Sequence, residues 1–114
     1  MSERKRPLVR TSQSDHERRI RSELRKILSS SGVLHGTLVE RHRVCGKPNC
    51  KCTRGQKHRS LYLVVTEGGK PRQLYVPEDW EQTVRLWVQD YQKARELMEE
   101  VSRIHWQKVR ERKG

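Results

Sequence analysis

Between Glu78 and Lys113 the chain has neither Gly nor Pro. Nothing there breaks a helix, and at about 1.5 Å per residue the stretch would reach roughly 50 Å. Trp80, Val84, Trp87, Tyr91, Ala94, Met98 and Val101 recur along it at alternating steps of four and three, the spacing of a heptad seam. Leu86, Val88, Leu97 and Ile104 widen the apolar face. Pro77 and the carboxylates of Glu78 and Asp79 suit a helix start, so the pattern predicts one long helix over 78–112. A chain of 114 residues has room for one small domain. A short sheet cannot cover such a helix alone. Its outer half must meet another helix of the chain, a second copy of itself, or another protein.

The rest of the chain supplies that sheet and one shorter helix. Residues 1–13 read as a basic flexible arm carrying Arg4, Lys5, Arg6 and Arg10. A single domain then spans 14–114. Ser14-Asp15-His16-Glu17 matches the capping box, in which the Ser hydroxyl and the Glu carboxylate each take an orphan backbone N–H. Ile20, Leu24, Ile27 and Leu28 follow at helical spacing, and Ser29-Ser30-Ser31-Gly32 closes a helix over 14–31, with Gly32 suited to the C′ position. Thr37 to Val44 alternates like a strand, placing Leu38, Glu40 and His42 on one face and Val39, Arg41 and Arg43 on the other. Ser60 to Thr66 is the strongest strand pattern, with Leu61, Leu63 and Val65 facing one way and Tyr62, Val64 and Thr66 the other. Glu67-Gly68-Gly69-Lys70 is a hairpin signal, and Arg72 to Val76 returns. The expected fold is α+β: an N-terminal helix, a three-stranded antiparallel meander with a Cys-rich loop over 36–76, and the long heptad-patterned C-terminal helix.

Charge selects the class of partner. The chain has 26 Lys and Arg against 14 Asp and Glu, a formal charge of +12 and a sequence pI near 10.3. That balance favours a polyanion, nucleic acid before an anionic membrane surface. The longest apolar run is Leu61 to Val65 and no apolar leader precedes the domain, so neither a membrane span nor a signal peptide is expected. A cytoplasmic setting follows, in which thiols stay reduced. Along the long helix the charge is uneven: Glu78 to Glu100 balances to −4, and Val101 to Lys113 to +4. The basic end complements the negative helix terminus, or serves as a second phosphate-contacting patch.

The first connection of the meander carries the most unusual chemistry. Cys45, Cys50 and Cys52 are spaced C-x4-C-x-C, and His58 follows six residues later. Zinc takes four such ligands in a tetrahedron, and a short turn delivers three of them at little entropic cost. His58 is the preferred fourth ligand, because it closes the loop just before the second strand. His42 is the rival, but on an extended strand it points to the face opposite Cys45. Reduced structural thiols and a cation-activated nucleophile are the competing readings. With 32% apolar residues and no Phe the core is thin, so zinc binding, worth roughly 10–16 kcal/mol in small zinc domains, would matter to the fold. Arg41, Arg43, Lys47, Lys51, Arg54, Lys57 and Arg59 surround the cysteines without one Asp or Glu among residues 41–59.

These residues resemble an uncharacterised prokaryotic domain family with the order G-x-L-V-E-R, C-G-K-x-x-C-x-C, Gly and His, an aromatic strand, a G-K turn and Y-V-P before a long helix. Here the order is met by Gly36 to Arg41, by Cys45-Gly46-Lys47 with Cys50 and Cys52, and by Gly55 with His58. It continues in Leu61-Tyr62-Leu63, Gly69-Lys70 and Tyr75-Val76-Pro77. Arg59-Ser60 stands where the family has Gly-Pro. The resemblance spans about residues 33–105 and implies the domain boundaries, no established activity, and the company of mobile-element genes. At the level of fold alone, the strand-hairpin-helix order is similar to the arm-binding domains of phage-type integrases.

The expected function is therefore a small nucleic-acid-binding protein, accessory or regulatory to a mobile element, with a zinc-supported basic loop on phosphates. Duplex DNA is the first choice and structured RNA the second. Tyr62 or Tyr75 would stack or insert. The alternative is an interaction module in which the seam residues pair two chains, or pair this chain with a partner helix. No catalytic set is found: the carboxylates are scattered over helix surfaces and Glu40 alone lies near the cysteines.

Overall fold

A computed structural model describes residues 12–30, 32–43 and 58–112. The order is α1 (Asp15–Ser30), β1 (Thr37–Arg43), β2 (His58–Glu67), β3 (Lys70–Val76), a 3-10 turn (Glu78–Trp80) and α2 (Glu81–Glu111). This is the α+β architecture expected, with most element ends within two residues of the pattern. The long helix starts as a 3-10 turn at Glu78 and becomes α-helical at Glu81, three residues later than expected.

Local chemistry explains the element ends. Ser14 Oγ accepts the Glu17 N–H at 3.1 Å, so half of the capping box forms. The other half does not, because the Glu17 carboxylate turns inward and bonds elsewhere. At the far end of α1 the hydroxyls of Ser29 and Ser30 donate to the carbonyls of Arg25 and Ile27. Gly32 is not left-handed, unlike Gly68 and Gly69. Its place is set by contact, since a Cβ there would lie 2.8 Å from the Trp87 ring. The β2–β3 hairpin turns on Gly68 (φ 56°) and Gly69 (φ 78°), the two positive angles of a type I′ turn. The last turn of α2 closes through Arg112, left-handed at φ 38°, whose N–H donates to the Lys108 carbonyl at 3.0 Å.

The strands form one antiparallel sheet in the order β1-β2-β3. Leu38 pairs with Leu63 and Leu63 with Leu74; Glu40 pairs with Leu61 and Leu61 with Val76. This face looks inward. Leu61, Leu63 and Val76 are buried with Val84 and Val88 of α2, and Leu34 and Leu38 pack against them. At about 25 cal/mol per Å2, burying each such side chain contributes roughly 1.5–3 kcal/mol.

Two different neighbours cover α2. The sheet takes its first half at Val84 and Val88, while α1 runs back along its second half, burying Ile20 with Ala94 and Leu97. The buried row therefore shifts around the helix instead of following one heptad line. Of the seam residues, Val84 and Ala94 are buried, Trp87, Tyr91 and Val101 are half-buried, and Trp80 and Met98 are exposed. Trp80 instead meets Trp87 edge-on at 5.9 Å, and His35 stacks on Tyr91 at 4.7 Å. The Leu34 N–H donates to the Trp87 carbonyl at 3.0 Å, fixing the α1–β1 connection to α2.

One buried ion cluster ties the start of α1 to the end of α2. Glu17 is 1% exposed. It accepts from Arg21 Nε at 2.7 Å and Lys108 Nζ at 3.3 Å, with His105 Nε2 at 3.5 Å. Lys108 Nζ also donates to the Ser12 carbonyl at 2.9 Å. Burial alone would raise the Glu17 pKa, but the hydrogen bonds and charges of Arg21 and Lys108 outweigh it and hold the carboxyl below its ordinary range. Among the described residues no helix is long and apolar enough to cross a membrane.

Candidate nucleic-acid interface

The outward face of the sheet follows from the same alternation that builds the core. Val39 pairs with Tyr62 and Tyr62 with Tyr75, so one cross-strand row carries both tyrosines. Their rings meet edge-on, 5.9 Å between centroids at 68°. The Arg41 guanidinium lies over the Tyr62 ring at 4.8 Å, a cation–π contact that holds its charge on this face. The next row sets Thr37 beside Val64 and Val64 beside Gln73. Tyr75 is 55% exposed, and Arg41, Tyr62 and Val64 are each part-exposed. No described outward side chain of the three strands is a carboxylate: Glu40 and Glu67 both fall on the inward parity.

The inward face ends, beside Arg59, in a charged network. Arg59 pairs with Glu40 at 2.8 Å and with Glu81 at 2.7 Å, and Arg85 reaches Glu40 at 3.2 Å. Glu81 Oε1 is met by charge at that distance without hydrogen-bond alignment. Hydrogen bonds that Arg59 donates to Glu81 and Glu40 raise its pKa beyond its ordinary value. Both carboxyls are in turn lowered, Glu40 by Arg59 first and then Arg85, Glu81 chiefly by Arg59. The network joins β1 and β2 to the first turn of α2, where carboxylates are favoured by the helix dipole. Arg59 is thus occupied by two acids, on the face opposite Arg41. Strand alternation carries that signal in the sequence, since Glu40 and Arg59 share parity with Leu38 and Leu61.

The other sequence candidates divide cleanly. Arg43 and His58 pair across β1 and β2, so the connection 44–57 leaves and re-enters the sheet at adjacent positions. Cys45, Cys50, Cys52, Lys47, Lys51, Arg54 and Lys57 lie in that connection, outside the described residues, as does the arm 1–11. His42 points inward, 3.8 Å from Glu40. Among the described residues no group of three His, Cys, Asp or Glu side chains is placed to hold a metal ion. Glu17 was missed as a structural centre, although it lies three residues before Ile20 and seven before Leu24, on the apolar stripe of α1.

No curated protein and no solved structure matches the chain. A family profile does match, over residues 13–86, which covers α1, the whole sheet and the first turns of α2. By that match, over more than half its length, the chain belongs to the domain of unknown function family DUF6788.

Proposed function

We propose that this chain is a nucleic-acid-binding protein that grips phosphates with the outward sheet face and the basic connection beside it. One observation carries the reading: Arg41, Tyr62 and Tyr75 share an open face free of described carboxylates, next to the two strand ends from which the 44–57 connection departs. That connection adds Lys47, Lys51, Arg54 and Lys57, with Arg43 at its base. Each cation on a phosphate releases counterions, and an aromatic ring accepts a base or sugar by stacking. Duplex DNA is the preferred ligand, because a twisted antiparallel ribbon fits the major groove; structured RNA is second.

The cysteines are proposed to hold zinc together with His58. His58 pairs with Arg43 at the sheet end of the connection, and Cys45 follows Arg43 by two residues in the sequence. Zinc would fix the lysines of the connection at a constant spacing, where their mutual repulsion would otherwise spread them. The role is one of binding, not catalysis, in the cytoplasm, where reduced thiols remain available. The resemblance noted above favours an accessory or regulatory place beside a mobile element.

Fluorescence anisotropy with a labelled duplex tests the reading directly. Tyr62→Ala with Tyr75→Ala should weaken binding about tenfold or more, at roughly 1–3 kcal/mol for each stacked contact, without lowering the melting temperature by more than a few degrees. Unchanged affinity for duplex DNA and for a structured RNA would remove the sheet face from the interface.

A further inference from the structure

We propose that the exposed side of the α1–α2 hairpin is a homodimer interface, in which the α2 helices of two copies cross antiparallel about Ser102. The face is an apolar groove of about 630 Å3 lined by Leu24, Met98, Val101, Ser102, Trp106 and Val109. Trp106 is 69% exposed, Val109 65%, Met98 61% and, farther along, Leu28 56%. A second hollow of about 450 Å3, lined by Leu24, Leu28, Val33, Tyr91 and Met98, continues the strip toward the sheet. Large apolar side chains left this bare each keep on the order of 100 Å2 in water. The four together leave roughly 400 Å2, a patch of the size that often marks a contact site and about half of the ~800 Å2 per partner of a stable interface before its rim is counted.

Charge identifies the occupant. Five of the six acids of α2 lie before Val101, three of them in the turn 96–100. Its six bases divide evenly about Val101, and the segment after Ser102 sets Arg103, Lys108 and Arg110 against Glu111 alone. Glu96 and Glu99 are exposed on one side of Ser102, Arg103 and Arg110 on the other. Parallel pairing of two copies would set acid against acid and base against base. Reversing one copy about Ser102 sets the acidic turn against the basic turn twice, once on each side of the axis. The same reversal places Met98 opposite Trp106, equally spaced from the axis by four residues. Ser102 is small, which permits helix axes to approach to about 8–9 Å. The sequence of α2 is thus complementary to its own reverse, as a two-fold contact requires. The inference does not depend on nucleic-acid binding.

Sedimentation velocity of the full chain, from micromolar to sub-millimolar concentration, tests it. The wild type should show a reversible monomer–dimer equilibrium. Met98→Glu and Trp106→Glu alter exposed positions, so each should keep the fold by circular dichroism yet raise the dimer Kd by about a hundredfold, by leaving a carboxylate in an apolar contact. Glu96→Lys with Glu99→Lys should also weaken the dimer, and adding Arg103→Glu with Arg110→Glu should restore it. A wild type monomeric throughout, a dimer indifferent to Met98→Glu and Trp106→Glu, or failure of the charge exchange to restore association would each overturn the proposal.

Discussion

Glu17→Ala removes the centre of the cluster that fastens α1 to the end of α2. The carboxylate is 1% exposed, and its partners Arg21, Lys108 and His105 keep 36%, 29% and 48% of their side chains in water. Breaking a buried pair costs about 3–5 kcal/mol when the surviving charge is trapped. Here the surviving cations can turn outward, which reduces the cost to about 2–3 kcal/mol. At roughly 4–8 °C per kcal/mol for a domain of this size, the melting temperature should fall by about 10–20 °C. The pH dependence has a definite sign. The folded pKa of Glu17 lies below the ordinary glutamate value of 4.5, so its stabilisation is present above that value and is lost as pH falls through the folded pKa. Thermal unfolding of wild type and Glu17→Gln, followed by circular dichroism, should therefore show a gap at neutral pH that narrows in strong acid. A Glu17→Ala protein melting with the wild type at neutral pH would refute the cluster as a fastening between the helices.

Three further outcomes are expected. Arg41→Gln should reduce the salt dependence of duplex binding by about one phosphate, whereas Arg59→Gln should leave the slope unchanged because Glu40 and Glu81 already occupy that charge; equal effects of the two would contradict the division of the sheet's faces. Gly32→Ala should lower stability by about 1–3 kcal/mol and shift the tryptophan emission, since its methyl would meet the Trp87 ring at 2.8 Å; an unchanged melt would show that the contact gives way freely. Purified protein should carry about one zinc per chain and melt lower after strong chelation, with Cys50→Ser behaving alike; metal-free protein with a normal melt would remove zinc from the account.

Most of the fold was legible because its signals are local. The Gly-Gly hairpin, the alternation of Ser60 to Thr66 and the unbroken run after Pro77 each specify an element without knowledge of its neighbours. The partners of α2 were not legible in the same way. A heptad row from Trp80 to Val101 assumes one neighbour along the whole helix. The sheet and α1 instead approach from different sides, so burial passes from Val84 and Val88 to Ala94 and Leu97. The same limit applies to charge. Arg59 reads as one more cation until the strand register places it against Glu40 and α2 supplies Glu81. Glu17 matches a local capping pattern that its carboxylate does not complete. It turns instead to Arg21 on its own helix and to Lys108 and His105, which only the return of α2 beside α1 supplies.

The central claim, that the basic connection and the outward sheet face grip phosphates, is tested most directly by the salt dependence of duplex affinity. For wild type, log K should fall linearly with log salt, with a slope of about −0.9 per phosphate neutralised. Lys47→Gln, Lys51→Gln and Lys57→Gln combined should flatten that slope by up to about three phosphates' worth while leaving the melting temperature in place. Unchanged slope and affinity in the triple variant, on duplex DNA and on structured RNA alike, would contradict the account.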